Sequence, residues 1–432
     1  MSSMIVWKLI VLFGLMFLFL LLKFPVFLCL LLASLGYSAV FSGAVPDAVF
    51  TQSVVSNISN VNFTAICFYF LLGEIMNSGG LTDRLVNFCK ACIGHIHGSM
   101  SHINIIASIV FAGVSGSAMA DTASIGAMMI PAMKKEGYPP GYAAAVTQCS
   151  SLFGPIIPPS TGLVLMGIYM NCSIRGLFLG GILPGLVMGA LELLVSYIIS
   201  KKRNFPCEPW GGWERVRKTA KAGFGAFLLP VIIIICLVGG IGTVVEIGAC
   251  SCVIALLLSC AYREMSFKKL GRILMNCTVI AGKILCVLAG AGTFVWIIAS
   301  MGVADWVAST AMSLNATSTG VMAFCLLCLF VIGMFLDVGV IQMVLVPVMV
   351  PVILAVGVDP IQFGVICILC CQLGLCTPPV GALLYMTSGI AGCSVMDVFR
   401  ESIPFIVVLV LFVALLVLVP SITTWLPGLI MG

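Results

Sequence analysis

Apolar residues run through this chain in blocks whose length approaches the thickness of a lipid bilayer. Four of them are Met4–Leu22, Gly223–Leu237, Val279–Ile298 and Phe405–Val419. A helix needs about 20 apolar residues to cross a hydrocarbon core of about 30 Å. The pattern therefore predicts an all-α polytopic membrane protein, in which about eleven crossings fit the chain. Because no small-residue cleavage site follows Met4–Leu22, we expect that block to remain as the first span.

Composition and charge support this architecture and exclude others. Hydrophobic residues occupy 61% of the 432 positions and charged residues 8%, against about 45–50% and about 25% in soluble domains. Lysine and arginine gather in short clusters at Lys201–Arg203, Arg215–Lys221 and Arg263–Arg272. Such clusters are typical of cytoplasmic loops rather than of nucleic-acid binding. Counting crossings back from them places Lys134 and Lys135 on the cytoplasmic side as well.

The cysteines do not indicate a disulfide framework. The chain has 20 of them, and most lie inside apolar runs, where a free thiol behaves as a small hydrophobic group. One cluster has a spacing that is reminiscent of a zinc site: Cys89, Cys92, His95, His97 and His102. We interpret it as a cytoplasmic interfacial segment and predict no metal other than coupling ions and no cofactor.

The second half of the chain repeats residues of the first half at a constant offset of 220 positions, the distance from Pro158 to Pro378. The shared positions are glycines and prolines, which shape the backbone and seldom align in register by chance. The pairs are Gly113 and Gly333, Pro131 and Pro351, Gly137 and Gly357, Pro140 and Pro360, Gly154 and Gly374, Pro158-Pro159 and Pro378-Pro379, and Pro184 and Pro404.

The two halves are predicted to be inverted in the membrane. Lys134 lies on the cytoplasmic side, whereas its counterpart near Val356–Asp359 lies an odd number of crossings away and carries no lysine or arginine. Inverted repeats with paired, Gly/Pro-interrupted segments indicate a secondary transporter and the position of its site. We expect an elevator-type arrangement with two re-entrant hairpins and two broken helices.

Each half contains one polar interruption at a hairpin tip and one at a broken helix. In the first half they are Gly113–Ser124 and Gly154–Gly162, and in the second half Gly333–Gly339 and Gly374–Gly381. Irregular backbone at mid-membrane depth is tolerated only inside protein or beside a wet cavity. Glycine lets the backbone turn its carbonyl oxygens toward a cation, and together with side-chain oxygens these are ligands that suit sodium. Two pseudo-symmetric cation sites are therefore predicted.

Four ionisable residues fall inside predicted membrane segments. An intramembrane carboxylate is costly, so Asp121 and Asp337 are functional candidates by default. For Glu192 and Lys283 we favour inter-helix pairing or snorkelling of the long side chain. Single hydroxyls such as that of Thr122 are more often bonded to the preceding turn of their own helix.

Three motifs give the chain a close resemblance to a known family: Phe111–Asp121, Gly154–Ser160 and Gly73–Leu81. They resemble the DctM-like large membrane subunit of tripartite ATP-independent periplasmic (TRAP) transporters, over the chain from about residue 5 to its end. The resemblance implies sodium-driven import of a small carboxylate across the bacterial inner membrane. It also implies two partners, a small subunit of four spans and a periplasmic solute-binding protein.

The resemblance also implies site residues. One sodium ion would lie between the first tip and the first break, at Ser115, Gly116, Ser117, Gly154 and Pro158. The other would lie at Gly333, Asp337, Gly374 and Thr377. Substrate contacts would come from Asp121, Ser160, Thr161, Pro379 and Gly381. The chain departs from the family at Cys67–Phe70, where a proline is expected, and at Thr161, where an aliphatic residue is usual.

The predicted organisation has four parts. Residues 1–60 form N-terminal scaffold spans, and residues 223–277 form linking scaffold spans. Residues 61–222 form the first inverted repeat, with hairpin 100–134 and broken helix 141–171. Residues 278–432 form the second, with hairpin 318–356 and broken helix 360–390.

Three other functions could be served by a polytopic membrane protein of this kind. A stand-alone sodium/carboxylate symporter of related architecture would work without partners and stays open as the alternative. An intramembrane enzyme is disfavoured because no Ser/His pair, metal triad or paired carboxylates fall within the spans. An ATP-driven pump is disfavoured because Gly282-Lys283 is followed by isoleucine and lies in a span, so it does not form a phosphate-binding loop.

Overall fold

The structure is a computed structural model that describes residues 2–41, 45–59, 62–207, 210–303, 306, 309, 317–336 and 338–431. All regular secondary structure within these ranges is helical. The helices of the first part are α1 (Ser2–Leu21), α2 (Val26–Val40), α3 (Asp47–Ile58), α4 (Asn62–Ser78), α5 (Leu81–Ile93), α6 (Ser99–Ser115), α7 (Ala118–Asp121), α8 (Ala127–Lys135), α9 (Pro140–Ser150), α10 (Thr161–Tyr169) and α11 (Ile174–Arg203).

The remaining helices continue to the last described residues. They are α12 (Gly212–Gly239), α13 (Val244–Ala261), α14 (Phe267–Ser300), α15 (Ser318–Gly333), α16 (Val338–Val344), α17 (Val346–Ala355), α18 (Pro360–Leu375), α19 (Ala382–Ala391), α20 (Val395–Leu418) and α21 (Ser421–Met431). A π-helical turn, Thr122–Gly126, joins α7 to α8, and a 3-10 turn, Ser151–Phe153, extends α9.

The chain is a multi-span membrane protein. Five helices in the described ranges are long and apolar enough to cross a bilayer, and two bent pairs, with angles of 54° and 57°, raise the number to seven. One bent pair is α16 with α17, within the second predicted hairpin. The other apolar helices have 10–17 residues, and several of them flank the predicted tips and breaks. A segment that is interrupted in the membrane is not counted as a span by helix length, because each of its two helical pieces is shorter than the bilayer is thick.

Glycine and proline set the ends of the helices in the first half. At the first tip Gly116 adopts the left-handed region, with φ of 59°, and ends α6. Ser117 is extended, and α7 begins after it. In the broken helix, residues 154–160 separate the 3-10 turn from α10, and a cis peptide joins Pro158 to Pro159.

The second half repeats some of these features. A cis peptide joins Pro378 to Pro379, as at Pro158-Pro159, whereas Gly381, which aligns with Thr161, takes the left-handed region, with φ of 52°, before α19 begins. Gly137 and Gly357, which follow the two hairpins, both have positive φ. The pairs that the repeat aligns in sequence therefore occupy similar backbone settings.

Contacts between the halves are reciprocal. A Cβ on Gly141, at the start of α9, would lie 3.2 Å from the carbonyl oxygen of Asp397 on α20. At the corresponding place, a Cβ on Gly176, on α11, would lie 2.9 Å from Ile361 on α18. Each broken helix thus begins against the long helix that follows the other one.

One end of the molecule collects charged contacts. Lys134, at the end of α8, donates to the carbonyl oxygen of Ala391 at 2.6 Å. Arg203 lies 2.9 Å from a carboxylate oxygen of Glu401. The segments that follow Lys134 and Arg203 meet through the rings of Tyr138 and Phe205, whose centroids are 4.6 Å apart, as expected if both are cytoplasmic.

Candidate functional site

A cavity of about 310 Å³ lies where the interrupted segments of both halves meet. Its wall includes residues of the first tip, the first break, the start of the second hairpin's return helix α16, and the end of α18. Two outer helices, α4 and α14, close the remaining side. A volume of this size suits a small organic solute and its coordinating groups.

The first tip and the first break touch through their backbones. The Thr161 hydroxyl donates to the carbonyl oxygen of Gly116 at 2.8 Å. A Cβ on Gly116 would lie 3.0 Å from the carbonyl oxygen of Pro159, and one on Gly154 would lie 3.0–3.2 Å from the backbone of Ser117. Glycine at both positions is what permits this approach.

Ser160 organises the break from within. Its hydroxyl accepts the Leu163 N–H at 3.1 Å and so caps α10, and it donates to the carbonyl oxygen of Pro155 at 2.5 Å. The side chain is fully buried. Ser160 therefore holds the shape of the loop, and its hydroxyl hydrogen is already used.

The second tip and the second break pack in the same manner. A Cβ on Gly374 would lie 2.5 Å from the carbonyl carbon of Gly333. The N–H of Gly381 donates to the carbonyl oxygen of Met334 at 3.0 Å, and the Thr377 hydroxyl donates to that of Gly374 at 2.9 Å. Asp337 lies outside the described residues, as does the side chain of Ser115.

The structure brings only some of the sequence-predicted residues to the cavity. Gly116, Ser117 and Thr161 line its wall, and Val338 and Gly339 represent the second tip. The remaining described candidates do not line the cavity; they are Asp121, Gly154, Pro158, Ser160, Gly333, Gly374, Thr377, Pro379 and Gly381, of which Pro379 is exposed at the surface.

Two membrane carboxylates are buried inside the protein. Asp121 is 0% exposed, with the Ser108 hydroxyl beside its carboxylate, and Glu192 is 1% exposed, with neither of its oxygens hydrogen-bonded among the described residues. Glu192 lies near the thiols of Cys149 and Cys376. The inter-helix pairing or snorkelling expected for Glu192 is therefore wrong.

Three polar residues of the cavity wall are absent from the site predicted from the sequence: Lys283, for which pairing or snorkelling was expected, and Gln342 and Gln372, which the sequence did not single out. Lys283 extends from α14, and it is the charged residue among the described residues of the wall. The amide nitrogen of Gln342 donates to the carbonyl oxygen of Gly162 at 3.1 Å, whereas the buried amide oxygen of Gln372 has no partner among the described residues. The sequence signal that could have identified these residues is a polar side chain inside an apolar run, which often marks a functional position in a membrane segment.

The cysteine and histidine segment is dispersed in space. Burial raises the pKa of the Cys89 thiol to about 12, which disfavours the thiolate that a metal needs. His95 packs against Trp210 at 4.7 Å, and His102 Nδ1 lies 2.8 Å from the carbonyl oxygen of Gly98. Within the described ranges, no three His, Cys, Asp or Glu residues are grouped as a metal site.

Several known proteins are similar to this chain in sequence over most of its length. Its sequence is 35% identical over 382 residues to the sialic acid TRAP transporter large permease protein SiaM of Vibrio cholerae, covering 88% of this chain and 90% of that one. It is 32% identical to the 2,3-diketo-L-gulonate TRAP transporter large permease protein YiaN of Escherichia coli, covering 86% and 88%. It is 30% identical to the C4-dicarboxylate large permease protein DctM of Vibrio cholerae, covering 85% and 86%.

A solved structure resembles the fold. The YdaH transporter of Alcanivorax borkumensis matches with a TM-score of 0.63 and 13% identity, over 85% of this chain and 87% of that one. At that identity the likeness concerns the fold alone.

The family model for the DctM component of the tripartite ATP-independent periplasmic transporter matches residues 13–422. That match covers nearly the whole chain, including both tips, both breaks and the cavity between them. A tripartite system implies further membrane and periplasmic components, and membership excludes an enzymatic role. The chain is a multi-pass membrane permease that belongs to the DctM family, the large permease components of TRAP transporters.

Proposed function

We propose that this permease imports a small carboxylate solute, driven by a sodium gradient, after a periplasmic solute-binding protein delivers it. A small membrane subunit of four spans would complete the complex. The observation that carries the proposal is the cavity between the two tips and the two breaks, with Lys283 as the charged residue of its described wall. A cation in a cavity whose other described wall residues are neutral favours an anionic solute.

The solute class is supported by the relatives. The proteins named above are described as permeases for sialic acid, 2,3-diketo-L-gulonate and C4-dicarboxylates. Each of these compounds carries at least one carboxylate. Lys283 would pair with that carboxylate, and Gln342 and Gln372 would contact its polar substituents.

Two sodium ions would bind where a tip meets a break. In the first half the ligands would come from the backbone and hydroxyls of Ser115–Ser117 and from the break at Gly154–Pro158. In the second half they would come from Gly333, Asp337, Gly374 and Thr377. Sodium bound beside the cavity would offset the cost of holding a carboxylate in the membrane, so sodium and solute should bind cooperatively.

Substrate contacts from the breaks complete the proposal. Thr161 would meet the solute directly, since it lines the cavity. Ser160, Pro379 and Gly381 would act by setting the backbone of the two breaks. Asp121 belongs to the same predicted set, and because it is fully buried and does not line the cavity, it would act on the shape of the first hairpin.

The moving part would be the two hairpins and broken helices. The reciprocal contacts of Gly141 with Asp397 and of Gly176 with Ile361 support an inverted repeat, with residues 61–222 and 278–432 as its halves. Spans in 1–60 and 223–277 would serve as scaffold, for about eleven crossings in all. An elevator-type movement would carry the cavity past the scaffold.

The test is uptake of radiolabelled sialic acid, diketogulonate and C4-dicarboxylate into proteoliposomes. The vesicles contain this chain with its small subunit, under an inward sodium gradient, with and without the binding protein. We expect uptake of one of these solutes that requires both sodium and the binding protein. Uptake by this chain alone would instead support a stand-alone symporter and contradict the partner requirement.

A further inference from the structure

The long polar side chains of the cavity wall differ in charge, and this difference bears on the chemistry of the solute. The lysines, arginines and histidines of the chain all fall within the described ranges, and of these only Lys283 lines the cavity. Gln342 and Gln372 also line it with neutral amide groups, and both are buried, at 1% and 4% exposure. The wall therefore offers the solute one cationic side chain and two amides.

Gln342 is held in place by the first half of the chain. Its amide nitrogen donates to the carbonyl oxygen of Gly162, in the first turn of α10, at 3.1 Å. A Cβ on Gly162 would lie 3.6 Å from the same nitrogen, which is ordinary packing distance. The contact uses one amide hydrogen, and an amide carries a second hydrogen and an oxygen that can accept.

Gln372 is polar at a place where the repeat does not require a polar residue. It lies on α18, and its buried amide oxygen has no hydrogen-bond partner among the described residues. At the offset of 220 its counterpart is Leu152, which is apolar and fully buried. An unpaired buried oxygen destabilises the protein, so packing alone does not explain Gln372, and a hydroxyl donor from a bound solute would satisfy the amide.

Ammonium and amide groups recognise different groups on a solute. An ammonium pairs with a carboxylate, whereas an amide can both donate to a hydroxyl and accept from it. A carboxylate only accepts hydrogen bonds, so a second carboxylate would leave the Gln372 oxygen unpaired and would itself lack a cationic side chain. The described wall therefore matches a solute with one carboxylate and several hydroxyl groups.

The volume of the cavity agrees with such a solute. At about 310 Å³ the cavity falls within the range of about 300–1,000 Å³ that is usual for pockets that hold drug-sized ligands. This volume leaves room for a solute larger than a C4-dicarboxylate.

We propose that Gln342 and Gln372 make this permease selective for a hydroxylated monocarboxylate, a compound of the sugar-acid type, over a C4-dicarboxylate. Lys283 holds the single carboxylate, the two amides bond the hydroxyl groups, and Gln372 is the specificity-determining residue. The proposal rests on the proposed function for the carboxylate and for the sodium ions. Those ions are enclosed by backbone and hydroxyl groups of the tips and breaks, so the amides are what the hydroxyl groups of the solute meet.

Binding of solutes to the permease itself tests the proposal without the selectivity of the binding protein. The full chain with its small subunit is placed in lipid nanodiscs at saturating sodium, and its melting temperature is followed against the concentration of sialic acid, 2,3-diketo-L-gulonate or succinate. We expect one of the two hydroxylated monocarboxylates to reach its half-maximal effect at a concentration at least about tenfold below that of succinate. A smaller preference, or a preference for succinate, would overturn the proposal.

Replacing Gln372 separates a role in recognition from a role in folding. Gln372→Leu introduces the residue of the counterpart position, and it should raise the half-maximal concentration of the preferred acid about fivefold through the loss of one hydrogen bond. The value for succinate should change less than about twofold. Gln362→Leu is the matched control, because Gln362 lies on the same helix, is also 4% exposed, and donates to the carbonyl oxygen of Leu416 rather than lining the cavity. It should leave both half-maximal concentrations unchanged.

The outcomes distinguish this proposal from the proposed function. An equal change for both solutes in Gln372→Leu, or no change for either, would overturn the role of Gln372. Binding led by succinate, together with intact sodium-driven uptake, would overturn the selectivity and leave the proposed function standing. No binding and no sodium-driven uptake of any of the three solutes would overturn the proposed function and the selectivity with it.

Discussion

Replacing Lys283 tests whether the cavity holds the carboxylate of the solute. Lys283→Met keeps most of the apolar stem and removes the charge that α14 presents to the cavity. Among the described residues the ammonium group has no ion-pair partner, so within that part of the chain its removal leaves no anion unpaired. The expected loss is therefore confined to solute binding.

The size of the effect follows from the setting of the side chain. Two unit charges about 4 Å apart attract by about 1 kcal/mol in water and by about 4 kcal/mol at an effective dielectric constant of about 20. Lys283 is exposed to the open cavity, so we take the net value of a charge-assisted hydrogen bond, about 2 kcal/mol. That value corresponds to an increase of about 30-fold in the solute concentration for half-maximal uptake.

The assay is the concentration dependence of uptake at saturating sodium in proteoliposomes that contain the small subunit, with the binding protein supplied. Lys283→Arg should restore most of the affinity because it keeps the charge. Lys268→Gln, at the exposed start of the same helix, is the matched control and should leave uptake unchanged. A half-maximal concentration for Lys283→Met within about twofold of the unchanged protein would refute the reasoning, since that is under 0.5 kcal/mol.

Three further predictions concern the first tip, the first break and the orientation. Gly154→Ala places a methyl group 3.0–3.2 Å from the backbone of the first tip. The resulting overpacking cost of about 1–3 kcal/mol should reduce sodium-driven uptake about tenfold or more. The control Gly389→Ala places its methyl group in open space, with nothing within 4 Å, and should leave uptake unchanged. Thr161→Val should lower the free energy of unfolding by about 1–2 kcal/mol because it leaves a carbonyl oxygen unpaired, measured by denaturant titration, and a serine there should restore it. Exposed Cys207 should react at neutral pH with a membrane-impermeant maleimide that is added on the cytoplasmic side only. Buried Cys89, whose thiol has a pKa raised to about 12, should stay unlabelled. Labelling of Cys207 by maleimide added outside would contradict the predicted orientation.

The tips and breaks could be predicted from sequence because backbone chemistry leaves a local trace. Gly116 and Gly381 adopt positive φ, and prolines mark both breaks. These residues act through their own backbone, so their identity alone indicates where a helix must end. The constant offset of 220 positions then indicates, from the sequence alone, which residues of the two halves correspond.

The direction in which a long side chain points could not be predicted in the same way. Lys283 lies in an apolar run, where snorkelling is the common outcome, and only the packing of α14 against the interrupted segments turns it toward the cavity. Asp121 was identified as costly, but the sequence does not say on which side of the hairpin it lies. Both answers depend on how α6, α9 and α14 pack together, which is a property of the whole fold.

The number of membrane crossings also depends on packing that the sequence does not reveal. Hydropathy identifies apolar stretches, but a broken helix divides one crossing between two short helices that hydropathy alone does not join. The helices α9 and α10, with 11 and 9 residues, are each too short to span a bilayer. Their grouping into one interrupted segment comes from the contacts of residues 154–160 with the hairpin tip.

The most direct test of a sodium-driven carboxylate permease is accumulation against a gradient. Proteoliposomes with this chain and its small subunit receive the loaded binding protein, first with an inward sodium gradient and then with equal sodium on both sides. We predict that the solute concentrates inside only while the sodium gradient lasts, and that it leaves again when the gradient is collapsed. Equal accumulation with and without the sodium gradient would contradict sodium coupling at the tips and breaks.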